Sequence, residues 1–150
     1  MRKTHPYEQT IRELRDRPER WYLCFLCAGV TAVFDVGGYP WTIALEDESD
    51  SDSYAPHVAA AGPLLSTLDH WLNLEAEKQF IHLTEASAIK GVHYLKSLGG
   101  SAVKVWFIQS ADSNRVKMER ALAVVGEEAA KAELPLIVHA TDHALATRSG

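Results

Sequence analysis

The chain has no run of apolar residues near the roughly 20 that a membrane-spanning helix needs, and its first residues, MRKTHPYEQ, lack the apolar core of a secretory leader. No signal peptide is therefore expected within it, and the compartment stays open. Basic residues are not clustered. Fifteen Lys and Arg stand against 20 Asp and Glu, a formal charge of -5. That balance argues against nucleic acid or an anionic membrane surface as a partner. No G-x-G-x-x-G and no G-x-x-x-x-G-K-[ST] follows any strand-like run, so the nucleotide-binding folds lose their best evidence. Only two cysteines occur, Cys24 and Cys27. They form one C-x-x-C without the second ligand pair of a zinc ribbon. They fall near a helix end rather than at the N-terminus where a redox pair has its thiol pKa lowered. They are expected to be buried structural thiols.

What remains is an ordinary globular composition, 47% hydrophobic and 23% charged over 150 residues, enough for one domain spanning 1–150. Helical and strand patterns alternate along it. Residues 7–16 favour helix. Pro18 starts a second helix, with Trp21, Tyr22, Phe25 and Leu26 as its apolar face and Gly29 as its stop. Residues 30–36 (VTAVFDV) read as a strand closed by Gly37 and Gly38.

Glu46, Asp47, Glu48, Asp50 and Asp52 then read as a solvated surface loop, since neither the Gly nor the closing Glu of a calcium loop is in place. Residues 57–62 suggest a short strand of small side chains, which Pro63 bars from continuing as a central strand. Thr84 reads as the N-cap of a helix with Ile89, Val92, Leu95 and Leu98 on one face. A strand over 102–108 follows. A helix over about 114–132 turns Val116, Leu122, Val125 and Ala129 inward, and 134–139 (LPLIVH) is the last strand. Strands apolar on both faces and joined by helices imply parallel pairing with helical cover. A doubly wound sheet and a barrel both satisfy the pattern, and the missing phosphate loops favour the barrel. Four strand patterns are half of the eight a barrel requires.

Two polar residues interrupt these strands. Lys104 lies within VKVWF, where an amine is costly unless paired or chemically changed. His139 ends LIVH, at the carboxyl end of a strand, where functional groups of parallel sheets gather. A backbone-bonded histidine and a lysine snorkelling from an edge strand are the structural alternatives. His143 stands four residues after His139 but on the expected following helix, so the two do not share a helical face. His57, His70, His82 and His93 have no spacing partner, and Asp69 and Trp71 fall in a loop that could line a cleft.

Taken together, AGVTAVFDVGG (28–38), AGP (61–63), LGGSAVKVW (98–106) and IVHAT (137–141) resemble successive strand signatures of the amidohydrolase superfamily, in its imidazolonepropionase-like and prolidase-like branch. The resemblance covers nearly the whole chain in order. It implies part of a (β/α)8 TIM barrel, roughly strands 2 to 5 with their helices, as an internal fragment of a larger enzyme. It implies one or two divalent metal ions, most naturally zinc, with Lys104 as a carboxylated bridging ligand and His139 as an imidazole ligand. Such a metal lowers the pKa of a water for attack on an amide bond. The substrate would be a small-molecule or dipeptide amide. Departures from the pattern are specific. The family's His-x-His pair is represented only by KTH at 3–5, making His5 its candidate second member, and Phe34 replaces an arginine. The family's later histidine and its aspartate proton shuttle find no counterpart, so this chain alone is expected to be inactive. The alternative is a truncated barrel acting as an assembly module, whose open edges invite a homo-oligomer. An unrelated doubly wound binding module is the third reading.

Overall fold

The computed structural model describes residues 7–68, 78–109 and 114–141. Two helices lead in, α1 (Tyr7–Asp16) and α2 (Glu19–Cys27). Pro18, at φ -62, is preset for the first turn of α2, and Gly29 leaves it at φ 79, a left-handed value that suits glycine. Strand β1 (Ala32–Asp35) follows, then a 3-10 turn (Pro40–Thr42) and helix α3 (Leu45–Asp50). The acidic stretch is thus largely helical rather than a loop. The Ser49 and Ser51 hydroxyls donate to carbonyls three residues back, and Ser49 is buried while its acidic neighbours Asp47 and Glu48 stay in solvent.

Strands β2 (His57–Ala60) and β3 (Leu64–Ser66) are separated only by Ala61, Gly62 and Pro63. Pro63 therefore interrupts the extended run without ending it. It sits in the break, where its missing N–H removes no ladder bond, and Gly62 supplies the bend at φ 69. Next come β4 (Phe80–His82), α4 (Glu85–Ser97), β5 (Val103–Phe107), α5 (Arg115–Lys131) and β6 (Leu136–Ala140). The three-residue β4 carries too little pattern to be visible in the sequence. Thr84 caps α4 as expected, accepting from the Ser87 N–H while the Ser87 hydroxyl accepts from the Thr84 N–H.

Every described strand pair is parallel. One sheet pairs β1 with β2; the other runs β4-β3-β5-β6. The Ala61 N–H donates to the Asp35 carbonyl and the Ser101 N–H to the Ala60 carbonyl, both at 2.9 Å, so backbone bonding continues across the break between the sheets. This is a mixed α/β fold of parallel strands with crossover helices.

The core lies between the second sheet and helices α4 and α5. Leu65, Val103, Val105 and Phe107 supply the sheet side, and Ala88, Val92, Leu95, Leu122 and Val125 the helix side. Gly91 allows the close approach of α4, because a Cβ there would fall 2.9 Å from Leu65 Cδ2. The expected helix faces hold at Val92, Leu95, Leu122, Val125 and Ala129, and depart from expectation at one end of each. Ile89 and Val116 are 43% and 58% exposed, whereas Ala88, Gly91, Met118 and Ala121 face inward. Small residues at 88, 91 and 121 let the helix backbones approach closely, which leaves Ile89 and Val116 at the margin of the buried face.

The cysteines also differ from expectation: both are exposed and unpaired. Tyr22 is the one buried residue of α2. At about 100° per residue, Cys24 and Cys27 stand on the far side of the helix from it. Trp21 and Phe25, expected inward, are 43% and 39% exposed. Around Tyr22 lies an apolar cavity of about 320 Å³, lined also by Trp21, Phe25, Val33, Trp41 and Val58. The Tyr22 hydroxyl is buried there without a hydrogen-bond partner among the described residues.

Two stability changes follow, both read by urea denaturation. Leu65→Ala, at a side chain 0% exposed, is expected to cost about 2–5 kcal/mol. Tyr22→Phe, which removes the unpartnered hydroxyl, is expected to stabilise by about 1 kcal/mol; a loss of that size would mean the hydroxyl is satisfied in solution.

Candidate functional site

Strand alternation splits the second sheet into two faces. Leu65, Val103, Val105, Leu136 and Val138 point to the helices. Side chains on a strand alternate, so Leu64, Ser66, Phe80, His82, Lys104, Trp106, Ile137 and His139 occupy the opposite face. The register sorts them into rows. His82, Ser66, Trp106 and His139 form one row across four strands, near the strands' carboxyl ends. Lys104 pairs with Ile137 in the row below. This open face collects the polar residues that the helix-covered face excludes.

Lys104 is 7% exposed and lies inside a central strand, with β3 on one side and β6 on the other. That excludes the edge-strand alternative. Its amine makes no hydrogen bond or ion pair among the described residues, and burial pushes its pKa below the ordinary 10.5. A buried amine that is driven toward its neutral form is the nucleophilic form. The loop after β1 covers its stem: a Cβ on Gly37 would lie 3.6 Å from Lys104 Cγ and 2.7 Å from Leu64 Cδ2. Gly37, at φ 139, is required there by both space and backbone conformation. The Gly37 carbonyl in turn accepts from the Gln79 amide at 3.5 Å.

His139 is exposed on β6, directly across from Trp106, with ring centroids 6.0 Å apart. Lys104 and His139 are one strand and two residues apart, roughly 8 Å between Cα positions. Both side chains rise from the same face, so their tips can reach a common point. His5, the third candidate ligand, lies outside the described residues, as do Asp69, His70, Trp71 and His143. Among the described residues no three His, Cys, Asp or Glu side chains gather closely enough to hold an ion. In chemical terms, an imidazole nitrogen and a lysine carbamate oxygen are ordinary ligands for a hard or borderline divalent cation. Two such groups would fill two of the four positions of a tetrahedral ion.

Two further residues of interest were not distinguished by the sequence. His82 shares the row of Trp106 and His139, a placement that only the β4–β3 pairing creates. It stands three strand spacings from His139, roughly 14 Å, too far for the two to share one ion directly. Asp35 ends β1 half-buried. Desolvation raises its pKa, while bonds from the Thr42 side chain and the Gly37 N–H act in the opposite direction. A Cβ at Gly38 would collide with this carboxylate. The signal available was a charged residue closing an apolar strand before two glycines. The other described histidines are engaged at the surface: His57 Nδ1 with Asp50 at 2.9 Å and His93 Nε2 with Glu128 at 3.2 Å.

Three solved structures are similar to this chain in fold. A provisionally assigned prolidase from Bifidobacterium longum is 22% identical, with a TM-score of 0.67, over 87% of this chain and 32% of its own. A Xaa-Pro dipeptidase with methionine bound in its active site is 16% identical, TM-score 0.65, over 99% of this chain and 40% of its own. The ochratoxinase of A. niger is 16% identical, TM-score 0.73, over 99% of this chain and 42% of its own. At these identities the likeness is one of fold. The chain spans about a third to two fifths of the length of each of these proteins. No family model and no curated protein matches the sequence.

The unpartnered amine makes a stability prediction. Between the lowered pKa of the folded state and the ordinary 10.5 of the unfolded chain, the unfolded chain binds more protons, so stability rises with pH through that window. Lys104→Met is expected to abolish this rise and to stabilise the chain at pH 7, measured by urea unfolding from pH 7 to 10.5. An unchanged pH slope in the variant would assign it to another group.

Proposed function

We propose that this chain is part of a metal-dependent amidohydrolase of the prolidase-like kind, contributing strands 2 to 5 of a (β/α)8 barrel. The proposal rests above all on Lys104, a buried lysine without an ion-pair partner among the described residues, on the same sheet face as His139 of the neighbouring strand. The fold shared with hydrolytic enzymes supports it.

In this reading His139 and His5 bind through imidazole nitrogen, and Lys104 binds through a carbamate. The carbamate forms when the neutral amine attacks carbon dioxide, making a C–N bond and releasing one proton. Burial favours that neutral amine, and the Gly37 backbone lies against its stem. The ion, most naturally zinc, supplies Lewis acidity and lowers the pKa of a water. The substrate is a small-molecule or dipeptide amide. The remaining ligands and the proton shuttle come from other parts of the whole protein.

A second reading has its own observation. Among the described residues β6 bonds to a strand on one side only, and its apolar residues Leu136, Ile137 and Val138 are half-buried. An open edge of this kind suits an inactive barrel segment that functions by assembling with another chain.

Zinc binding measured by competition with a chelator dye, with and without bicarbonate, separates the two. The hydrolase reading expects bicarbonate to tighten binding, and expects Lys104→Arg and His139→Asn each to weaken it more than about tenfold. Labelled bicarbonate should give a carbamate carbon resonance that Lys104→Arg lacks. Zinc affinity indifferent to both substitutions would refute it.

A further inference from the structure

The open face is asymmetric around Lys104. On the β1 side it is narrowed, because the Gly37 backbone lies close enough to Leu64 that a Cβ there would fall 2.7 Å from Leu64 Cδ2, and in ordinary contact with the lysine stem at 3.6 Å from Cγ. On the β6 side it is open and aromatic. Phe80, Trp106 and His139 form a run of ring contacts, diagonal from Phe80 to Trp106 and directly across from Trp106 to His139, with ring centroids 5.2 Å apart for Phe80 and Trp106 and 6.0 Å for Trp106 and His139. Both pairs are tilted, at 59° and 43°. The contact with Phe80 crosses β3, where the residue in register with Trp106 is the small Ser66. A larger side chain there would block it.

Burial falls along this run. Phe80 is 5% exposed, Trp106 is half-buried and His139 is exposed. Trp106 is also the exception within its own strand: Val103, Val105 and Phe107 are all at most 1% exposed and Lys104 is 7% exposed. The largest apolar side chain of β5 is thus the one left partly uncovered, and it stands between the two polar groups of the candidate site. Uncovered aromatic surface beside polar groups is how small-ligand sites combine affinity with orientation.

We propose that Trp106 is the specificity wall of this site, selecting amides that carry an aromatic or bulky apolar group beside the scissile bond. The inference rests on the proposed function for the scissile bond, but its binding preference does not depend on metal. Among the described residues, the narrowing at Gly37 favours the Trp106 side for such a group. Phe80, buried behind the indole, fixes the ring from beneath.

The test uses the 150-residue chain and two probes, N-acetylphenylalaninamide and N-acetylalaninamide, with affinities from NMR shift titration. Wild type is expected to prefer the phenylalanine probe by about tenfold. Trp106→Ala should bring the ratio to within about twofold, and Trp106→Phe should keep most of it. Far-UV circular dichroism identifies variants that do not fold, and Trp106→Leu then replaces Trp106→Ala as the ring-deleted variant. A structural role would weaken both probes alike and leave the ratio unchanged, which overturns the proposal. So does an absence of preference, or of any binding, in wild type. Zinc titration of the same samples reads the hydrolase proposal separately: a probe preference without zinc binding sinks that reading and leaves the wall in place.

Discussion

The alternation of β5 between two parallel neighbours is the constraint from which the rest of the structure follows. Held by β3 on one side and β6 on the other, the strand must send Val103, Val105 and Phe107 one way and Lys104 and Trp106 the other. The first set is buried by α4 and α5, which exist because parallel strands need crossover connections. The second set is thereby committed to the face the helices leave uncovered. A one-residue slip would bury the amine among leucines and valines and expose a valine row. The core and the candidate site are two consequences of the same register.

That register also explains why an unfavourable residue is tolerated. An amine 7% exposed and without a partner among the described residues costs stability, since desolvation disfavours its charged form. The face around it is arranged to keep it there rather than to relieve it. The Gly37 backbone lies against the stem, and no described carboxylate pairs with it. Asp35 is handled differently, at the end of β1, where the Thr42 side chain and the Gly37 N–H offset part of its desolvation.

The places where sequence patterns misled have a common cause. Ile89 and Val116 fit a helical apolar stripe but face solvent, because small residues at 88, 91 and 121 decide which side of each helix approaches most closely. Pro63 reads as a strand breaker and does interrupt the extended run, yet the chain resumes as a strand at the very next residue, Leu64, in the other sheet. The acidic stretch 46–52 looks like a loop from its charge, but local hydroxyl-to-carbonyl bonds and the burial of Ser49 draw most of it into α3. The cysteines look like core thiols, although the single buried position of α2 is Tyr22, on its other side. Each error treats hydrophobicity or charge as deciding a position that packing geometry decides.

The sequence by itself determined the α/β alternation, the parallel strands, the cap at Thr84, and the oddity of Lys104 and His139. These are local: apolar periodicity, caps and glycine stops act within a few residues and leave a readable trace. Tertiary structure alone decided that Lys104 and His139 share a face with Trp106 between row and edge, that His82 joins their row, and that Gly37 narrows one side of the site. Those relations come from strand order and register. Pairing energies between segments tens of residues apart set them, and no single segment carries a record of its partner.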